Sequence, residues 1–360
     1  MKISAVITLY NLEKYIDDAI QSVLRQTRQP DEIIVVDDSS TDDSANVVGK
    51  YRHRIIHIRQ EKNIGALKNS LSGLKAARGD IVAFLDGDDV WLPQKLQAIE
   101  KEFLQDEEVV LVSHDFIQVD EDLRDLNISN NETRLNTRRI TKSHTKEDWS
   151  KAMREAILFR KGFWLGSAYA VRKKAVPLKR FETVIAQHPA SYLSYLDMTL
   201  GPFIVASNPT FKVGFVNEVL FKHRAHGDNN NSWRSITSIE NALRNIERWQ
   251  SVNSTTYHLI ADVLKDPKIE KRYSNLHEEL ELAKCQFMGK KAKAVAKFIS
   301  LSPFLFREEK IAHEFMRLLA TTVLGSERFF RWKAKRSERS TKRLVIRQSQ
   351  KRMVSYRAKT

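Results

Sequence analysis

Between Ile81 and Pro93 the chain reads IVAFLDGDDVWLP, and three carboxylates, Asp86, Asp88 and Asp89, fall within four positions. Acids that close repel one another unless a cation sits among them. Hard oxygen donors suit Mg2+ or Mn2+, which keep part of their water shell and also grip phosphate oxygens. The same residues also read as an acidic turn that merely closes a strand. A second acidic run, Asp37-Asp38-Ser39-Ser40-Thr41-Asp42, follows the apolar stretch EIIVV. Asp197 stands apart, the one acid between Glu182 and Glu218.

The elements around these residues follow from periodicity. Ile3–Leu9, Glu32–Val36, Ile55–Ile58 and Ile81–Leu85 are short, nearly continuous apolar runs, as expected of strands buried on both faces. Between them Leu12, Tyr15, Ile16, Ala19, Ile20, Val23 and Leu24 keep helical spacing. A short helix through Val47–Val48 is expected behind Ser, Thr and Asp caps, and another over Ala66–Ala77 with Gly79 in the C-cap role. Alternating strands and helices predict an α/β, Rossmann-like, mostly parallel sheet flanked by helices. Ligands of such sheets bind beyond the carboxyl ends of the strands. Those ends carry Thr8 and Tyr10, Asp37 and Asp38, and Asp86 and Asp88. An acidic turn without function does not predict that convergence.

Further strands are expected over Glu108–Val119 and, as a pair, over Phe211–Phe221, with a polar insertion or surface loop between Asp120 and Lys151. From Ser235 the pattern turns helical: Ile236, Ile239, Leu243, Ile246 and Trp249 follow a Thr237/Ser238 cap, and an amphipathic helix is expected after Pro303.

YN…YIDDAIQSVLRQT, EIIVVDDSSTDDS and NIGALKNSLSGLKAARGDIVAFLDGDDVWLPQKL, in this order and spacing, resemble the N-terminal half of a family 2 glycosyltransferase with the GT-A fold, over about Met1 to Leu96. The resemblance implies an enzyme that moves a sugar from a nucleotide-diphosphate sugar to a hydroxyl acceptor, with inversion and with Mg2+ or Mn2+ as cofactor. It places Thr8, Tyr10, Asp37, Asp38, Lys68 and Asp86 against the nucleotide sugar and Asp88 on the metal. Asp89 is expected to cap the helix after Pro93. Asp197 matches the general base, although Leu196 stands where the family usually has Glu; an acid opposing a helix dipole is the plain alternative. Lys222-His223-Arg224-Ala225-His226-Gly227 is similar to the family's closing segment, which implies Arg224 on phosphate oxygens and His226 as a second metal ligand. His226 also reads as a loop histidine bonded to backbone, and His223 has no family counterpart. Trp164 reads as an acceptor-side aromatic or as a core residue. Bacterial surface-polysaccharide or lipopolysaccharide assembly is the context the resemblance implies.

The boundaries expected are 1–233 for the transferase domain, 234–330 for a helical appendage and 331–360 for a basic tail. The chain carries +15, and from Arg331 onward twelve Lys/Arg face one acid, Glu338. Such a tail reads as lipid-attracted, as nucleic-acid-binding or as a solvated end. Interleaved aromatics, which a nucleic-acid face would favour, are nearly missing from it. Together with an apolar helix at Pro303–Trp332, the tail suits an anionic membrane surface and a lipid-linked saccharide acceptor. One cysteine, Cys285, excludes an internal disulfide framework. With no apolar run of spanning length, the expectation is a cytoplasmic protein, peripheral at most.

Overall fold

The computed structural model describes residues 1–126, 146–159, 166–226, 238–308 and 310–332. Trp164, Gly227 and the tail from 333 lie outside the described residues. Eight strands form one sheet in the order β3-β2-β1-β4-β7-β6-β8-β5. They are β1 (Ile3–Leu9), β2 (Glu32–Asp37), β3 (Ile56–Arg59), β4 (Ile81–Asp86), β5 (Val90–Trp91), β6 (Val109–Val119), β7 (Ala170–Arg172) and β8 (Lys212–Arg224). β1, β2, β3 and β4 are parallel, as are β6 and β8, whereas β7 and β5 pair antiparallel. The sheet is mixed and flanked by helices, as expected.

Side chains alternate across it. Ile3, Ala5, Ile7 and Leu9 of β1, Ile33 and Val35 of β2, and Ile81, Ala83 and Leu85 of β4 pack with α1 (Ile16–Leu24), α2 (Ser44–Gly49) and α4 (Lys95–Gln105). Val6, Ile34, Val36, Val82 and Phe84 face the other way, onto α3 (Ala66–Ala76), α5 (Lys146–Leu158), α6 (Leu178–Gln187) and α7 (Leu196–Ser207). Both faces are therefore apolar, and the strands read as unbroken hydrophobic runs. Each such Val, Leu, Ile or Phe side chain contributes about 1.5–3 kcal/mol on burial. The register then sets the chemistry level: Thr8 lies beside Asp86, and Leu9 beside Asp37.

Several local expectations are corrected. Phe211–Phe221 is one strand, not a pair: β8 runs parallel to β6, and Asn217-Glu218 bulge where Val216 pairs with His114 and Val219 with Asp115. Gly79 is not a left-handed cap. A Cβ there would stand 2.6 Å from the Ser4 hydroxyl, so the glycine serves close packing. Asp43, the N-cap of α2, makes no side-chain capping bond, but the Asp42 carboxylate accepts the Ser44 amide at 3.1 Å. Ser40 and Ser44 hydroxyls instead accept the Asn11 and Leu12 amides, tying that loop to the end of β1.

Two compact units result. The first is Met1–His226 with Ser251–Tyr273; the second comprises the described residues of Gly227–Gln250 and Ser274–Thr360. The helices that follow the sheet are α8 (Ile239–Ala261), α9 (Pro267–Phe287), α10 (Lys291–Arg307) and α11 (Ile311–Leu324). Ser238 caps α8 as expected, its hydroxyl accepting the Asn241 amide at 3.1 Å. In the second unit Leu282, Cys285, Ala294, Leu301, Phe304, Leu305 and Leu318 form one core, and Ala242, Ile246, Ala283, Phe287 and Phe330 another.

Two prolines lie inside helices rather than between them. Pro202 leaves the Met198 carbonyl without its helical donor, and the Thr256 hydroxyl fills it at 3.0 Å. Pro303 does the same to Ile299, whose carbonyl accepts the Ser302 hydroxyl at 2.8 Å. No helix among the described residues is long and apolar enough to cross a membrane.

Candidate active site

The acidic turn after β4 is held from several elements at once. Gly87 donates its amide to the Thr8 carbonyl at 2.9 Å and Asp89 to the Asp86 carbonyl at 3.0 Å. The Ser167 hydroxyl accepts the Asp86 amide at 3.0 Å and donates to the Asp89 carboxylate at 2.5 Å. The Arg224 amide gives Asp89 its other bond, at 2.9 Å. Asp89 is 2 % exposed and therefore anchors the turn; it does not cap α4, whose N-cap is Gln94. Loss of water, then the charges of Asp88 and Asp86, push its carboxyl well above the usual range.

Beneath the turn lies a residue whose role was not read from the sequence. Lys95, fully buried, donates to the Ser167 carbonyl and stands 4.0 Å above the Trp91 ring. Burial pushes its ammonium well below its usual pKa range, and Asp89 and Asp86 hold it up. Its place on the inward face of α4 with Leu96, Ile99 and Phe103 was the available signal.

On the open side, Asp86 accepts the Thr8 hydroxyl at 3.0 Å. Loss of water around the carboxyl, then the like charges of Asp88 and Asp197, push Asp86 up to about 7; Thr8 and Lys95 oppose the shift. The residue is exposed to solvent, so a cation arriving there meets it directly. Gly166 backs it closely: a Cβ at that position would fall 2.9 Å from Asp86 Oδ2. Asp197 sits in the first turn of α7 and accepts the Met198 amide at 2.9 Å. Burial and the Asp197 charge raise the Tyr169 phenol well above its usual pKa range. Asp197 thus shares the field of Asp86 from a separate element, on the far side of the turn from α4.

Asp88 meets His226: the ring Nε2 lies 3.0 Å from Asp88 Oδ2, and the imidazole packs on Tyr15 with centroids 4.6 Å apart. His223 is nearby as well. Burial holds it below its usual range against the pull of Asp88, and His226 adds to the lowering. Arg224 is nearly buried and engaged within the protein. Its guanidinium donates to the Asp88 carbonyl at 2.8 Å, to the Glu121 carbonyl and to Asp18 at 2.7 Å, and lies over Tyr15 at 4.9 Å.

At the end of β2, the Asp38 carboxylate accepts the Ile64 and Gly65 amides at 2.7 and 3.0 Å. These amides open α3, where a carboxylate is favoured by the helix dipole. Burial and Asp37 nonetheless leave Asp38 raised. Gly65 takes φ 88°, and a Cβ there would fall 2.3 Å from the Tyr192 carbonyl, so only glycine fits. Asp37 is fully buried and accepts the Ser40 amide at 2.8 Å, with Arg59 at 3.7 Å and His57 at 3.9 Å. Burial would raise it, but these partners outweigh the burial and hold it below the usual range. Lys68 is half-buried in the first turn of α3, and its ammonium has no hydrogen bond or ion pair among the described residues. Tyr10 is 47 % exposed at the end of β1.

Among the described residues no three His, Cys, Asp or Glu side chains are grouped to hold a metal. The donor chemistry still fits a hard divalent cation shared with a ligand: a carboxylate and an imidazole in contact, beside a carboxyl whose pKa is raised by loss of water and by like charges. Mg2+ and Mn2+ typically take one or two protein carboxylates and complete their shell with water and phosphate oxygens.

Residues 4–164 match the sequence model of Glycosyl transferase family 2. An uncharacterized glycosyltransferase of Nostoc sp. is 44 % identical over 117 residues, 32 % of this chain and 36 % of the relative. The UDP-Glc:alpha-D-GlcNAc-diphosphoundecaprenol beta-1,3-glucosyltransferase of Escherichia coli is 40 % identical over 95 residues, 26 % of this chain and 38 % of the relative. The matched stretches thus span little more than a third of these relatives' own length. S. aureus TarS 1–349 in complex with UDP-GlcNAc, a solved structure, has a TM-score of 0.47 and 14 % identity, with 91 % of each chain covered. The matched residues 4–164, which hold β1 to β4 and the acidic turn, are thus similar to glycosyl transferase family 2.

Proposed function

We propose that the chain transfers a sugar from a nucleotide-diphosphate sugar to a hydroxyl acceptor, with inversion at the anomeric carbon. The observation that carries this reading is the contact of Asp88, in the acidic turn beside Asp86 at the end of β4, with His226 at 3.0 Å. Asp86 and Asp88 from the turn after β4 and Asp197 from α7 share one electrostatic field, and His226 stands against Asp88. Asp88 and His226 are the residues to hold a Mg2+ or Mn2+ ion, which when bound would neutralise charge on the departing diphosphate.

The remaining work falls to the chain's own side chains. Tyr10, Asp38 and the loop that opens α3 border the nucleoside, with Asp37 bracing the β2–α2 loop through the Ser40 amide. Lys68, whose ammonium has no partner among the described residues, offers a positive charge to the phosphates. Asp86 faces the ribose or the cation. Arg224 acts by positioning, since its guanidinium clamps the Asp88 carbonyl. Asp197 takes the proton from the acceptor hydroxyl as its oxygen bonds to the anomeric carbon. The bond from that carbon to the diphosphate oxygen breaks, and the nucleoside diphosphate leaves with the electron pair. Trp164 is assigned to the acceptor side, and 1–233, 234–330 and 331–360 remain the proposed domain limits.

The named Escherichia coli relative acts on a diphosphoundecaprenol-linked sugar. A lipid-linked saccharide acceptor, bacterial cell-surface glycan assembly and a site of action at the inner face of the plasma membrane are proposed on that likeness and on the basic tail. Calorimetric titration with UDP-, GDP- and dTDP-sugars, with and without Mn2+, tests the reading. Metal-dependent binding of one donor, lost in Asp88→Asn, is expected. No binding of any donor would overturn it.

A further inference from the structure

The second unit carries a surface that sugar transfer does not use. α10 packs inward through Ala294, Leu301, Phe304 and Leu305. Its opposite face, at three- and four-residue spacing, carries Val295, Ile299 and Phe306, which are 42 %, 65 % and 74 % exposed, together with exposed Ala292, Ala296 and Pro303. α11 buries Glu314, Leu318 and Thr321 and exposes Phe315, Met316, Leu319 and Val323. The outward face of a water-facing helix is ordinarily charged. Here both are apolar. The two helices share the core of Leu301, Phe304, Leu305 and Leu318, and the Phe298 and Phe315 rings lie 6.0 Å apart.

Among the described residues, nine of the sixteen exposed large hydrophobic side chains fall from Val295 to Trp332, so the exposure is concentrated rather than scattered. Lys291, Lys293, Arg307 and Arg328 are exposed in the same stretch. Beyond Trp332 the chain continues for 28 residues with eleven Lys/Arg and one acid. Apolar faces and a polybasic continuation supply the two signals that stable attachment to a bilayer needs. A second copy of the chain seated there would bring two such tails together, and like charge opposes that. A nucleic acid would have no use for aliphatic faces.

We propose that the outward faces of α10 and α11 form a docking surface for an anionic lipid bilayer. Ile299, Phe306, Phe315, Leu319 and Val323 enter the headgroup–acyl boundary, and the basic continuation pairs with anionic headgroups. This deepens the reading of the tail as lipid-attracted, and it holds whether or not the sugar-transfer reading does.

Flotation of the full chain with vesicles of phosphatidylcholine alone and with added phosphatidylglycerol tests it. Binding to the anionic vesicles is expected, at least tenfold weaker in a Phe306→Asp/Val323→Asp double variant that keeps the wild-type circular dichroism melt. Wild-type binding by that variant would overturn the docking face and leave the tail as the sole contact. Loss of a dimer in the variant, with no vesicle binding by either protein, would overturn it in favour of a self-interface. As a check independent of charge insertion, Ile299→Cys in a Cys285→Ala background is labelled with a polarity-sensitive dye. A blue shift on anionic vesicles is expected, and an unchanged spectrum counts against insertion. Donor titration of the same samples separates the outcomes, because failure there concerns sugar transfer and not lipid.

Discussion

Asp197 and Lys95 make opposite demands on a carboxylate cluster. In the proposed transfer Asp197 accepts a proton, whereas Lys95 lies buried beside acids that it helps to hold. Asp197→Asn keeps the size of the side chain and removes the base, so turnover should fall by about 10²–10⁴ with donor affinity retained. Steady-state kinetics beside donor titration would show it; lost donor affinity would instead make Asp197 a binding residue. Lys95→Met keeps most of the buried stem but removes the cation near Asp89 and Asp86. Losing its hydrogen bond to the buried Ser167 carbonyl costs about 0.5–1.5 kcal/mol, readable by urea unfolding. Asp37 gives a pH signature. Its folded pKa lies below its unfolded value, so its stabilising effect is complete above the unfolded pKa and fades as pH falls through the folded one. The difference in Tm between wild type and Asp37→Asn should therefore be largest near neutral pH and shrink on acidification below about 4.

At the scale of elements, the site depends on how closely backbones approach. The short helical turn Gly166–Ala168 lies against the end of β4, with Gly166 on the Asp86 carboxyl and Ser167 joining Asp86 to Asp89. Gly166→Ala would push a methyl group toward Asp86 while leaving the sheet unchanged. A tenfold or greater drop in kcat, with a Tm within a few degrees of wild type, is expected from kinetics and calorimetry. A matching collapse of stability would mean that Gly166 serves the fold alone. The same scale explains the Pro202 region. The stretch Thr199-Leu200-Gly201-Pro202 does not end α7, because Thr256 from α8 supplies the hydrogen bond that the proline withholds.

For the whole molecule, ligand binding should report on the first unit through stability. A nucleotide sugar with Mn2+ at about 100 times its Kd adds about 2.7 kcal/mol to unfolding. Thermal melts should rise accordingly, and a chelator should return them to the unliganded value. Persistence of the shift after chelation would show that the metal is dispensable for binding. The second unit has cores of its own, in α9 to α11 and around Phe287, and its outward faces are the part of this protein that a nucleotide-sugar site does not account for.

Much of the first unit was legible in the chain alone. Strands buried on both faces must be continuously apolar, so β1, β2 and β4 could be bounded within a residue or two, and with them the rim that carries Thr8, Asp37, Asp38, Asp86 and Asp88. Register between distant strands and the partners of buried polar groups leave no such local mark. Only the tertiary structure decided that Asp38 holds the start of α3, that Arg224 clamps the acidic turn from inside, and that Asp89 anchors to Ser167. Only it placed Lys95 beneath them, and only it turned the apolar faces of α10 and α11 outward. A helical period states which residues share a face. It does not say whether that face meets a core or water, because that depends on what the rest of the chain packs against it.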